Sequence, residues 1–497
     1  MRPVGTRWLI EHFKPAPVVV SHFSGIGGKR TCETRTDGTV EEVFPRSYWP
    51  GDEPLDHVRF ALRYEPLSLD LLHQVFRNLS DRDIEKYISA EPSGKYSRRI
   101  GFLYEFLCAR EVSAAVTGNF IPVLDDSRYF VGPERLNHRW RVRDNLLGAA
   151  GFCPSVRKTP AVVKKLQVDH SGEIRRLARQ AGPDLLARAI NYLYAKETKA
   201  SFDIERATIG GSKMQRFLRV LAEVGLTDGQ NLLDEQRLVL LQNLIVDSRY
   251  ANLAFRTDQN YIGRTLPNLQ EQIHYVCPPP ALIKTLMAGL RTFLLRSEGL
   301  PAPLRAAVVS FGFVYIHPFD DGNGRLHRLL LHETLARDGY TDAGMVLPLS
   351  AGMARDPVGY DKVIEGFSRT VLGRVQYEVD SKGCMTIGNV REAEGVWRYP
   401  DLTAHVEYIL DLIATTVRDD LPSELDIIQR FDTAGRAIAE VVDLPSRRMQ
   451  LMLKLLHQNQ GKLSKTKLNQ EFPELAEREI QAVEAAFRAA FQDAQRS

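Results

Sequence analysis

The sequence predicts a mainly α-helical protein of several modules, with small β elements between the helices. Three observations lead there. Apolar residues recur every three to four positions through residues 303–316, where Leu304, Ala307, Val308, Phe311 and Val314 or Tyr315 form one stripe, and again at Leu326, Leu329 and Leu330. Residues 183–205 and 401–497 carry the same period, whereas stretches that alternate as strands are short. A chain of 497 residues is also too long for one hydrophobic core and should hold about two to four domains.

Taken in order, residues 1–95 read as a small α+β module. A helix starts at Trp8-Leu9-Ile10, Val18-Val19-Val20 is a strand, and two Gly/Asp-rich turns suggest hairpins. The run S-G-I-G-G-K-R at 24–30 lacks the spacing of a nucleotide fingerprint and reads as a hairpin turn. Residues 96–180 are a mixed α/β segment, with a helix at 98–113 and a β-prone stretch at 120–145. Its basic run R-W-R-V-R (139–143) reads as a solvated strand face rather than an interaction patch. Residues 181–372 form a helical core that begins with a helix at 183–206. Inside it, 255–264 and 273–276 are β-prone runs around a polar segment, a hairpin that ends at Pro278-Pro279-Pro280. Residues 373–400 contain a second hairpin, turning around 380–383. Residues 401–497 are helical, with Pro422, Pro445 and Pro473 as natural breaks. The stretch 462–491 can be drawn as a helix-turn-helix, winged-helix-like. Its second helix carries Glu474, Glu477, Glu479 and Glu484, the wrong sign for DNA phosphates, so a helical partner-binding or dimerisation module is preferred over DNA binding. No internal repeat or low-complexity tract is present.

Composition narrows the class. The net charge is +3, from 65 basic and 62 acidic residues, which gives no excess for nucleic acid or a membrane surface. The five cysteines (Cys32, Cys108, Cys153, Cys277, Cys384) have no C-x-x-C spacing and read as reduced thiols of a cytoplasmic protein. Arg2, Arg7, Glu11 and Lys14 interrupt the first residues, so no signal peptide is expected. The longest apolar stretch, near 306–316, is too short to span a bilayer.

The chemistry concentrates in H-P-F-D-D-G-N-G-R-L-H-R, residues 317–328. Pro318 stops the preceding helix and leaves His317 at its end, facing a loop. Gly322-Asn323-Gly324 can take left-handed conformations and turn their N–H groups into an anion nest. The helix that follows adds its N-terminal dipole. Arg325 and Arg328, three apart, share a helix face near the same anion and suit phosphate oxygens. Asp321 is a hard oxygen ligand of the kind that holds Mg²⁺ on phosphates. His317 has a side chain suited to taking a proton from a hydroxyl. Phe319 reads as a core anchor, Asp320 as a solvated turn residue, and His327 and His332 as surface or packing residues.

This run resembles the signature of the Fic family, H-P-F-x-[D/E]-G-N-G-R-x-x-R, at all nine specified positions. By average residue usage, a chance match in a chain of this length is below about one in a hundred million. The resemblance implies a helical Fic core with a β-hairpin flap and an activity that moves AMP from ATP to a Tyr, Thr or Ser hydroxyl of a target protein. It implies His317 as general base, Asp321 as the Mg²⁺ ligand, and Gly322, Asn323 and Gly324 as the cradle of the α- and β-phosphates. Arg325 would contact the same phosphates and Arg328 the γ-phosphate. The related Doc kinases carry Lys at the position of Gly324, so glycine there implies AMP transfer.

Two further segments resemble family elements. The end of the helix at 183–205, K-A-S-F-D-I-E-R, is similar to the inhibitory motif [S/T]-x-x-x-E-[G/N]. Ser201 and Glu205 would share a helix face, and the resemblance implies that Glu205 pairs with Arg328 and blocks the γ-phosphate. Arg206 departs from the Gly or Asn of that motif. The hairpin around Ile262 and Gly263 sits where Fic proteins carry a flap that docks the target backbone by β-augmentation. Expected partners are ATP, Mg²⁺ and a protein with an exposed hydroxyl, with self-modification and a homodimer compatible with the sequence. Two alternatives stay open: a de-AMPylase using the same site, and an ATP-sensing regulator that binds DNA or protein through its terminal modules. The intact base argues against a pure sensor.

Overall fold

Long-range packing assembles the chain into two units, seen in a computed structural model that describes residues 1–36, 39–205, 211–226, 231–266 and 271–492. One unit comprises Met1–Asp169 and Glu197–Ile413, the other His170–Lys196 and Ala414–Ser497. Helices dominate both, and the sheets are small, so the fold is mainly α.

The first unit starts with a four-stranded sheet made of Arg2–Val4, His22–Gly27, Val40–Pro45 and Thr31–Thr34, in that spatial order. His22–Gly27 pairs antiparallel with Arg2–Val4 and parallel with Val40–Pro45. This corrects two sequence expectations. Val18-Val19-Val20 is not a strand, because β-branched residues form one only where a neighbouring strand offers ladder partners. Residues 24–30 are not a hairpin turn either: Ser24 to Gly27 lie within a strand, and the strands on either side of Gly28 are not neighbours in the sheet. Thr6–Phe13 is helical, as the Trp8-Leu9-Ile10 run suggests.

The helices Pro54–Tyr64, Leu69–Arg77, Asp81–Ala90 and Lys95–Cys108 pack into one apolar core that includes Val75, Phe76, Ile84, Ile100 and Leu103. Asp81–Ala90 begins with a reciprocal capping box between Ser80 and Asp83. Lys95–Cys108 ends five residues earlier than the pattern suggests, at a left-handed Ala109. The R-W-R-V-R run is not a solvated face. Trp140 is buried in this core and its Nε1 donates to Glu105 Oε2 at 2.7 Å, while Arg139 pairs with the same carboxylate.

The region around residues 317–328 centres on the helix Ala302–Ile316, which is buried on nearly every side. A helix apolar all round must be covered all round. Here Pro280–Arg296 and Asn323–Arg337 pack against it, and Tyr315 stacks on Phe367 from Pro357–Leu372. The second hairpin forms from Tyr377–Val379 and Met385–Ile387.

The second unit is discontinuous in sequence. Its core gathers Ala434, Ile438, Met452, Leu456, Phe472, Val483 and Phe487. Arg188 pairs with Asp432, and Lys196 with Glu424, tying residues from 170–196 to the C-terminal helices. Pro445 precedes the helix Ser446–Gln458, and Pro473 falls between Lys465–Glu471 and Glu477–Gln492. Pro422 makes no break. It lies in Leu421–Ala439, which follows without interruption on the π-helical Thr416–Asp420, and the widened turn accommodates a proline whose ring and missing N–H oppose a regular α turn. Among the described residues no helix is long and apolar enough to cross a membrane.

Candidate active site

The helix Ala302–Ile316 ends at His317, whose backbone is left-handed (φ 51, ψ 59) and whose N–H bonds Phe313 O at 3.0 Å. That turn swings the half-buried imidazole back over the helix end, with Nδ1 3.1 Å from Val314 O. A carbonyl only accepts, so Nδ1 carries the hydrogen and Nε2 is left with a free lone pair. Burial lowers the pKa of His317 to about 4. The nearby Arg256 cation acts in the same direction, and the Val314 bond and the Glu205 and Asp321 carboxylates oppose it. The side chain is therefore neutral at pH 7, as a base must be.

The loop after His317 is closed by Asn323. Its Oδ1 accepts from Phe319 N at 3.0 Å and its Nδ2 donates to Phe319 O at 2.7 Å. Phe319 is fully buried, edge-on to Phe255. Of the three expected cradle residues only Gly322 is left-handed (φ 92). Asn323 and Gly324 already belong to the first turn of Asn323–Arg337. The cradle is thus one glycine turn plus a helix N-terminus rather than a run of left-handed residues. Asp321 Oδ1 accepts from Gly322 N at 2.6 Å and from Arg325 Nη2 at 2.8 Å. The Asp321 carboxylate stays 46% exposed, so oxygen remains available to a cation. Among the described residues no group of three or more His, Cys, Asp or Glu is arranged as a metal cage, and a Mg²⁺ shared with phosphates uses one or two carboxylates only.

The two arginines have different partners. Arg325 also reaches Ile245 O at 3.2 Å and lies over the Phe202 ring. Arg328, 1% exposed, is taken by the helix Pro183–Ile204. Its Nε donates to Ser201 Oγ at 2.8 Å, and its Nη2 donates to Ser201 O at 2.8 Å and to Glu205 Oε1 at 2.9 Å. One turn earlier, buried Glu197 accepts from His332 Nε2 at 2.8 Å and from Ser350 N at 2.8 Å. Glu197, Ser201 and Glu205 recur every four residues and engage His332 and Arg328, four apart on the motif helix. Beyond them the Glu205 carboxylate rests against Gly324: a Cβ there would lie 2.1 Å from Oε1. A carboxylate therefore occupies the helix N-terminus where an anion binds best. Arg206 lies outside the described residues. His327 is a packing residue, bonded to Ser310 Oγ at 2.6 Å. Asp320 is exposed and accepts from Asn252 Nδ2.

The flap consists of Tyr261–Thr265 and Glu271–Val276, antiparallel, with an irregularity between Ile262 and Gly263. Ile262 is 41% exposed, and residues 267–270 lie outside the described structure. Sequence reasoning singled out Ile262 and Gly263 and passed over Arg256. That side chain is buried, and its partners are main-chain carbonyls up to 61 residues away, which leave no local signature.

Residues 232–335 match the family model described as Fic/DOC family. The protein adenylyltransferase Fic of Culex quinquefasciatus is 38% identical over 88 residues, covering 17% of this chain and 16% of that protein. Its namesake from Aedes aegypti is 36% identical over 88 residues with the same coverage. The chain thus spans only about a sixth of the length of these curated relatives. A solved Fic family protein from Desulfovibrio desulfuricans G20 is 18% identical, covering 64% of this chain and 89% of that one, with a TM-score of 0.39. The family model falls on the residues that build the His317 loop and holds the full signature inside it, so this segment of the chain is similar to the Fic/DOC family.

Proposed function

We propose that this protein is an adenylyltransferase that moves AMP from ATP to a Tyr, Thr or Ser hydroxyl of a protein and is held inactive by Glu205. The observation that carries the reading is the capture of Arg328 by Ser201 and Glu205 beside a neutral His317. In the active state Arg328 would hold the γ-phosphate in place of Glu205. The backbone N–H groups of the Gly322–Gly324 turn and the helix N-terminus would receive the other phosphates, with Arg325 beside them. Asp321 would hold Mg²⁺, which would neutralise phosphate charge. His317 Nε2 would accept the proton of the incoming hydroxyl. Its oxygen bonds to the α-phosphorus as the bond to the α–β bridging oxygen breaks, and pyrophosphate leaves with that electron pair. Ile262 and Gly263 would dock the target as an added strand. Most of the acceleration would come from positioning and charge stabilisation.

The test is ATP radiolabelled at the α- or the γ-phosphate, with Mg²⁺, incubated with wild type, Glu205→Gly and the double variant Glu205→Gly/His317→Ala. Expected is α-label only, on this protein or on proteins of a lysate. Glu205→Gly should raise it by roughly 5–150-fold, the range of a coupling of about 1–3 kcal/mol. The double variant should lose labelling and still bind ATP. Label from the γ-phosphate would mean a kinase and sink the reading. The Glu205 carboxylate is one-third exposed, which favours a second use of the residue: orienting water to remove AMP. Loss of label from a pre-modified target, dependent on Glu205, would establish that direction instead.

A further inference from the structure

Arg256 is 4% exposed, and among the described residues its hydrogen-bond partners are carbonyls only. Its Nε donates to His317 O at 2.8 Å, Nη1 to Asp258 O at 2.7 Å and Nη2 to Pro278 O at 2.6 Å. Its backbone N–H adds Pro318 O at 2.9 Å. One guanidinium thus joins three places: the residue that bears the base, the chain just before the flap, and the chain just after it. The flap base has a second tie to the same helix end, from Tyr275 Oη to Tyr315 O at 2.5 Å. Burying a cation without a carboxylate is unfavourable, and desolvation lowers the pKa of Arg256 accordingly. An arginine kept in such a place must give something an apolar side chain cannot. Its planar fork, with donors fixed in direction, supplies three bonds of set geometry at once.

We propose that Arg256 is a positioning residue that sets His317 and the target-docking flap as one unit. Seating a target strand on the flap and aiming Nε2 at its hydroxyl are then a single geometric event. The inference rests on the reading of His317 as the base and of the hairpin as the docking flap. Lysine keeps the charge but reaches a single carbonyl at a time, and methionine keeps the bulk alone.

The experiment compares Arg256→Lys and Arg256→Met in the Glu205→Gly background by two readouts. The first is the AMP-transfer rate against ATP and target concentration. Both variants should lose on the order of 100-fold in kcat, the effect of a misplacement of about 1 Å, with KM for ATP within about twofold. Full rescue by lysine would overturn the proposal, since charge alone would then suffice. The second readout is backbone hydrogen exchange of the nucleotide-free protein, which needs no transfer activity. Exchange in Arg256→Met should rise together in 257–266, 271–277 and 313–319 and stay unchanged in Pro280–Arg296. A rise in one segment only, in neither, or throughout the unit would overturn it. If the Glu205→Gly parent transfers no AMP, the adenylyltransferase reading fails, and the exchange pattern still decides the coupling.

Discussion

His317 is available as a base because burial, more than any neighbour, keeps it neutral. A histidine with a lowered pKa stays deprotonated down to that value and gains its proton only below it. The pH profile of kcat/KM for AMP transfer by Glu205→Gly should therefore stay level down to about pH 5.5 and decline toward about 4, rather than turning near 6.5. An acid limb at 6.5 would mean that solvent reaches the imidazole. Gly324 belongs to the same scale. Any Cβ there would push the Glu205 carboxylate away, so in the proposed mechanism the position would bear on inhibition as well as on phosphate access. Seven candidate site residues were legible because they share one short run with fixed spacing. Asn323 was legible as a member of that run but not in its action, because its side chain is spent on both backbone groups of Phe319. Arg256 was not legible at all, since carbonyl partners leave no trace in residue identity.

At the scale of elements, Pro183–Ile204 and Asn323–Arg337 are joined by residues four apart on each. The Glu197–His332 rung is buried, with Glu197 1% and His332 3% exposed. Glu197→Ala removes a buried acceptor from both His332 and Ser350, at about 1–3 kcal/mol for each buried donor left unsatisfied. It should also raise α-phosphate labelling although Glu205 is intact, because the helix presenting Glu205 loses its anchor. Urea unfolding reads the first effect and the labelling assay the second. Unchanged labelling in folded protein would show that Arg328 alone holds the helix. Helices were the legible elements, since their period is set by their own residues. Strands were less so: Val18-Val19-Val20 has the composition of a strand but no partner, and the parallel pairing of His22–Gly27 with Val40–Pro45 depends on residues far along the chain.

The described residues form two units, and the four tryptophans, Trp8, Trp49, Trp140 and Trp397, all lie in the unit that holds the His317 loop. Fluorescence therefore reports on that unit alone, while circular dichroism sees helices of both. Phe487→Ala leaves a cavity in the other core at a cost of about 3–5 kcal/mol. The dichroism transition should then shift to lower temperature or develop an early step, with the fluorescence transition unmoved. A matching shift in fluorescence would mean that the two cores melt as one. This division was invisible in the sequence, because it is written in contacts between residues more than 200 apart. Its discontinuity also has a consequence during synthesis. Residues 170–196 leave the ribosome long before 414–497, and the Arg188–Asp432 and Lys196–Glu424 pairs span 244 and 228 residues. The nascent chain must carry the first half of the Glu205-bearing helix without its lasting neighbours until 228 further residues have been added. The second unit can therefore form only after the intervening residues of the first have been made.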